Sequence, residues 1–153
     1  MTDVSYFKTA SGWLYFSPIM DLYSRKILCY SISKNNDINL VKDMLNELKK
    51  YNLKSGLIHT DQGVLYTSKE YKNRIKEAGY IQSMSRKANC WDNACIEHFF
   101  GTLKVESGYD EILKKKVLSY ENTKFLIEDF VLYYNNERIQ KNLGWKTPSD
   151  FAA

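Results

Sequence analysis

The stretch Ser83–Glu106, SMSRKANCWDNACIEHFFGTLKVE, opens as a polar, basic loop and closes as a helix. Asp92 stands at the junction, where a carboxylate can accept the N–H groups that a first helical turn leaves unpaired. At about 100° per residue, Ile96, Phe99, Phe100 and Leu103 fall on one side of this helix and form its core face. Roughly a quarter turn away runs a second stripe, Asn93, Glu97, Gly101 and Lys104, free of bulky side chains. A glycine in a helix interior costs ~1 kcal/mol relative to alanine. Gly101 is therefore expected to admit a close neighbour, either a ligand beside Glu97 or a packed strand. In the second case Glu97 and Lys104 are ordinary surface charges.

Upstream, GLIHTDQG (residues 56–63) reads as a short buried strand ending at Asp61, the edge where open α/β sheets place ligands. Thr67 and Glu70 form a capping-box pattern for a helix that stops at Gly79, and Tyr80–Met84 is a further strand. Asn36 or Asp37 caps a crossover helix through about Tyr51, with Leu40, Val41, Met44, Leu45 and Leu48 inward. Residues 3 to 33 make two hairpins, and Trp13–Met20 is apolar enough to be a central strand covered on both faces, despite Pro18. Downstream, Gly108 and Lys114–Lys116 suggest a surface connection. A last helix then runs from about Asn122 to Ile139, with Phe125, Leu126, Phe130, Val131 and Tyr134 apolar. Strands alternating with helices give an α/β class.

The 153 residues fit one domain, 1–153, with residues 120–153 packing on or extending from it. A hydrophobic share of 44% against 26% charged argues against disorder, and no apolar run nears the roughly 18 residues of a membrane span. Three cysteines, an odd set, and no secretory signal point to a reduced, cytoplasmic setting. A net charge of +4 permits a polyanionic partner without demanding one.

If the fourth strand pairs parallel with the first, Asp3 and Asp61 lie side by side and Glu97 can join them. Convergent carboxylates suit Mg²⁺ or Mn²⁺, hard cations that take oxygen ligands, and a pair of such ions can drive phosphoryl transfer without a protein nucleophile. With 18 Asp and Glu in the chain, spacing alone is weak support.

Five phrases add more: TDVSYF, GWLYFSPIMDLYSRKI, HTDQGVLYTS, SMSRKANCWDNACIEHFFGTLKVE and YNNERIQKNLGWKTPSDF, with 35 residues between Asp61 and Glu97. In this order they resemble the catalytic part of insertion-sequence transposases of the OrfB type, DDE enzymes related to retroviral integrases, over essentially the whole chain. The resemblance implies a ribonuclease-H-like fold with a five-stranded mixed sheet, its first three strands antiparallel, flanked by helices. It makes Asp3, Asp61 and Glu97 the catalytic metal ligands for two Mg²⁺ or Mn²⁺ ions and Lys104 a contact to the element end. The implied reaction is hydrolysis at the element's 3′ end, then attack of that 3′-hydroxyl on another phosphodiester, with no covalent enzyme intermediate. Element ends and target DNA are the implied partners of a homo-oligomer acting at the bacterial nucleoid. The sequence departs from the family pattern at Ala88, His98, Val64 and Leu65, none a catalytic position. Met1 lies only two residues before Asp3, so a shortened first strand is expected, and the family's amino-terminal end-recognition module is expected to be missing. A catalytically silent DNA-binding or subunit-association module is the alternative.

Other residues carry competing readings. Asp21, in MDLYSR, rivals Asp3 as first carboxylate or holds Arg25. Cys90, Cys95 and His98, with His59 elsewhere, lack the paired spacing of a zinc site. Arg86 and Lys87 are expected on DNA phosphates together with Asn93, and Trp91 beneath the loop in the core. Arg138, Lys141 and Lys146 are weighed as DNA contacts, whereas Tyr134, Leu143 and Trp145 look structural.

Overall fold

Alternating burial builds the first sheet. β1 (Ser5–Thr9) buries Ser5, Phe7 and Thr9 and exposes Tyr6 and Lys8. β2 (Gly12–Met20) pairs antiparallel with it from Ser5↔Phe16 to Thr9↔Gly12. β3 (Ile27–Ser33) pairs antiparallel with β2, with a bulge between Ile19 and Met20, beside Pro18 and its missing donor. The computed structural model describes residues 1–51, 55–85 and 93–153. Asp92, read as a helix cap, and Arg86, Lys87, Cys90 and Trp91 lie outside the described residues.

β2 is covered on both faces, as its apolar run predicts. Leu14, Phe16 and Met20 join one core with α4 (Ala94–Glu106), α5 (Tyr109–Lys115) and α6 (Tyr120–Asn136). Ile19 joins a second core with α1 (Ile38–Lys49), α3 (Lys69–Glu77) and strands β4 (Gly56–Thr60) and β5 (Tyr80–Met84). Asp37 caps α1 by accepting the Asn39 N–H at 2.9 Å, and the predicted apolar stripe is its buried face.

β4 and β5 pair in parallel, Gly56↔Tyr80 through Thr60↔Met84. The expected single five-stranded sheet is not formed among the described residues. The ladders are β1-β2-β3 and, separately, β4-β5. Thr2 links the two, bridging to Ile19 and donating its N–H to the His59 carbonyl at 2.9 Å. The next possible rung is diverted, because the Val4 N–H goes to Asp3 Oδ1 at 2.7 Å and a side chain thereby competes with the ladder.

Three helix boundaries differ from the sequence reading. Thr67 does not cap α3: it ends α2 (Val64–Thr67), its hydroxyl spent on the Gly63 and Val64 carbonyls, and Ser68 takes over by accepting the Tyr71 N–H at 3.1 Å. Glu70 pairs instead with Arg74, one turn on. The supposed surface connection after Gly108 contains α5, whose buried Tyr109 accepts the Lys8 N–H at 2.6 Å and meets Phe7 edge-on. α6 starts at Tyr120 under a Ser119 cap and presents Thr123, Ile127, Phe130, Val131 and Tyr134 to the core. Phe125, about 200° round from Ile127, is 70% exposed. A 3₁₀ turn (Lys141–Leu143) and α7 (Pro148–Ala152), capped by Thr147, end the chain. No helix among the described residues is long and apolar enough to cross a membrane.

Candidate active site

Asp61 follows β4 directly, and its Oδ1 accepts the Gly63 N–H at 2.8 Å. A Cβ at Gly63 would stand 3.0 Å from that oxygen, so glycine is what lets the carboxylate fold back over its own turn. Asp3 and Asp61 line one cleft of about 240 Å³, with Tyr6, Asn36, Val64 and Tyr66 among its walls. Burial pushes the Asp3 carboxyl up to about 6, against the bond from Val4 N–H, and the charges of Asp61 and Glu97 push the same way. The three carboxylates named from the sequence therefore share one electrostatic neighbourhood.

They do not share one coordination shell. Glu97 is exposed on the first turn of α4, and among the described residues no three His, Cys, Asp or Glu side chains are gathered to hold an ion. Lys104 lies over β1, its Nζ 5.2 Å from the Phe7 ring centroid and 5.5 Å from that of Tyr6, which also walls the acidic cleft. Among the described residues a Cβ at Gly101 would meet nothing within 4 Å, so no described strand packs against that glycine.

A family model described as integrase core domain matches residues 1–90, and a second of the same description matches residues 78–148. The chain belongs to the integrase core domain family. Within it, the chain groups with insertion-sequence transposases of the DDE integrase superfamily. It is 40% identical over 154 residues to the putative transposase InsK for insertion sequence element IS150 of Escherichia coli (strain K12), covering 99% of this chain and 53% of InsK. An uncharacterized transposase-like protein of Haemophilus influenzae (strain ATCC 51907 / DSM 11121 / KW20 / Rd) is 36% identical over 98% of the chain and 68% of its own length. The chain thus spans between about half and two thirds of these relatives. Among solved structures, the HTLV-2 integrase catalytic core domain in complex with magnesium superposes with a TM-score of 0.75 at 17% identity, over 99% of this chain and 93% of that one. A chain of the simian T-cell lymphotropic virus intasome in complex with a PP2A regulatory subunit gives 0.81 at 17% identity, over 98% and 52%. The fold of this integrase core is that of the retroviral catalytic cores, ribonuclease-H-like and α/β.

One arrangement in the integrase core escaped the sequence reading. Ser85 is 5% exposed and gathers the ends of β4, β5 and α4. Its N–H donates to the Thr60 carbonyl at 2.9 Å, and its carbonyl accepts from Gln62 Nε2 at 3.0 Å. Its hydroxyl lies 3.0 Å from Asn93 Oδ1, 3.2 Å from the Thr60 carbonyl and 3.1 Å from His59 Nε2, while Ser83 Oγ meets His59 Nδ1 at 3.1 Å. The only signal was two polar residues, Ser83 and Ser85, alternating opposite a strand that ends His-Thr. Asn93, expected on DNA, is 4% exposed and instead ties the start of α4 to this hub.

The other end of α4 is fixed too. Arg138 holds Glu106 with two bonds of 2.7 Å, so this arginine, weighed as a DNA contact, is committed to an ion pair. The Glu106 carboxyl sits below its ordinary range because Arg138 donates to it. Asp21 accepts the N–H and hydroxyl of Ser24 at 2.9 and 2.6 Å and closes the β2–β3 turn; Arg25 enters only through its backbone N–H. Burial works against the Asp21 charge, but the bonds from Ser24 and Tyr23 outweigh it and hold the carboxyl below the usual range. Tyr134 and Leu143 are buried as expected, whereas Trp145 is 65% exposed.

Proposed function

We propose that the chain is the catalytic core of a transposase in which Asp3, Asp61 and Glu97 direct phosphodiester hydrolysis at element ends and transfer of the freed 3′-hydroxyl to another phosphodiester. The observation that supports this is the raised Asp3 carboxyl in a cleft it shares with Asp61, within reach of the Glu97 charge. Oxygen-only donors whose charges already oppose one another fit a hard divalent cation. Mg²⁺ or Mn²⁺ held by these three residues, as a pair of ions, would supply the positive charge that activates the attacking oxygen and stabilises the departing one. The chain itself does the placing. Val4 and Gly63 N–H groups orient Asp3 and Asp61, and the Ser85–Asn93 bond and the Glu106–Arg138 pair fix the helix that presents Glu97. Lys104, at the rim through Tyr6, meets a DNA phosphate, and Arg86 and Lys87 add to that grip. Element ends and target DNA are its substrates, and copies of the chain assemble on them in the bacterial cytoplasm, at the nucleoid.

The second reading, a catalytically silent DNA-binding or subunit-association module, is favoured by the exposed position of Glu97 outside the shared cleft. Two experiments separate them. Calorimetric titration with Mn²⁺ should show binding that Asp61→Asn cripples; equal binding by both proteins would remove the metal assignment. Pre-cut element ends incubated with target DNA and Mg²⁺ should be joined by the wild type and not by Glu97→Gln, and no joining by either would favour the silent module.

A further inference from the structure

The turn before α7 carries an indole on a rigid mount. The 3₁₀ turn ends at Gly144, with φ +66, and Trp145 follows in the same left-handed region at φ +63. A bulky side chain is rare there, because its Cβ crowds the next carbonyl. Four backbone bonds nevertheless hold the loop: Leu143 N–H to the Gln140 carbonyl at 3.1 Å, Gly144 N–H to the Lys141 carbonyl at 3.1 Å, Trp145 N–H to the Gln140 carbonyl at 3.0 Å, and Gln140 N–H to the Lys146 carbonyl at 3.0 Å. Leu143, 3% exposed, anchors it in the protein. The strain does not serve burial, since the indole is 65% exposed. Its neighbours in the turn are Lys141, Asn142, Gly144 and Lys146, all exposed, so a large aromatic face stands between two cations.

We propose that this loop is a DNA contact separate from the acidic cleft, in which Lys141 and Lys146 take phosphates and Trp145 packs on an unpaired base or a deoxyribose. The inference rests on the reading that the chain acts on DNA. Two flanking lysines complement a polyanion, and an aromatic face between cations is how proteins hold nucleic acid without reading its sequence. Strain kept in an exposed side chain by a bonded loop is the mark of a residue retained for contact.

The test measures fluorescence anisotropy on a labelled DNA duplex and on a single strand of the same sequence. Wild type is compared with Trp145→Asn and with the double variant Lys141→Ala/Lys146→Ala. Asparagine tolerates the left-handed region, so Trp145→Asn should raise the melting temperature while weakening DNA binding about tenfold. The lysine pair should lower the slope of log affinity against log salt by about two. A melting temperature that falls in Trp145→Asn would make the indole a structural residue and overturn the proposal. Wild-type affinity and salt slope in both variants, with DNA bound by the wild type, would overturn this contact and leave the proposed function standing. No DNA binding by the wild type would overturn both. A variant that changes self-association and not DNA affinity would assign the loop to a protein interface instead.

Discussion

Asp3 carries its charge at a cost it would not meet in water. Its folded-state value of about 6 stands above the 3.8 of a free side chain, so the folded chain is penalised for carrying this charge. Below pH ~4 both states are protonated and the penalty is absent; it grows through pH 6 and is complete above it. Asp3→Asn keeps an oxygen for the Val4 N–H and should stabilise the metal-free protein by about 1–3 kcal/mol at pH 8. Near pH 4 it should give no gain, as urea denaturation at the two pH values would show. Gly101→Ala should add about 1 kcal/mol of stability, because the new methyl lies on an exposed helix face and meets none of the described residues. If strand joining falls in that more stable variant, DNA approaches the helix backbone there; unchanged joining would discard that role for Gly101. The positions of Asp61 after a strand and Glu97 on a helix were legible from sequence, whereas Asp3, read as part of the first strand, stands before β1. Ser68 and Thr67 were not separable, since adjacent hydroxyls are equal candidates until one is engaged by the preceding turn.

Among the elements, α4 matters most because it carries Glu97 and is gripped at both ends. Ser85→Ala leaves the buried Asn93 oxygen without its hydroxyl partner and should cost about 1–3 kcal/mol, with partial recovery in Ser85→Thr, read by thermal melts. The Glu106–Arg138 pair is partly exposed, so solvent screening limits it despite its two short bonds. A double-mutant cycle with Glu106→Gln and Arg138→Gln should give a coupling of about 1 kcal/mol that shrinks in high salt. Neither grip was readable from sequence, as each joins residues whose proximity only the fold creates. α5 was missed for the same reason. Seven residues barely propagate a helix alone, and this one depends on Tyr109 reaching the backbone of Lys8. Phe125 shows that apolar character alone does not set a face: counted among the apolar residues of the last helix, it is turned to solvent by its angular position.

On the whole-molecule scale, Phe125 and Leu132 lie two turns apart on α6, 70% and 64% exposed, with Tyr133 beside them at 40%. On the proposed reading that copies assemble on DNA, such a stripe would seat a second copy. Phe125→Glu/Leu132→Glu should lower the mass measured by light scattering without lowering the melting temperature; an unchanged mass would remove the stripe from the assembly. The mixed α/β layering was legible because apolar runs alternate with amphipathic ones. The division of the sheet was not, since it turns on which acceptor captures the amide of Val4. That division bears on the site. Asp3 follows Thr2, which bridges to β2, and Asp61 follows β4, so the two carboxylates reach one cleft from different ladders, tied together by a shared apolar core and by the Thr2–His59 bond.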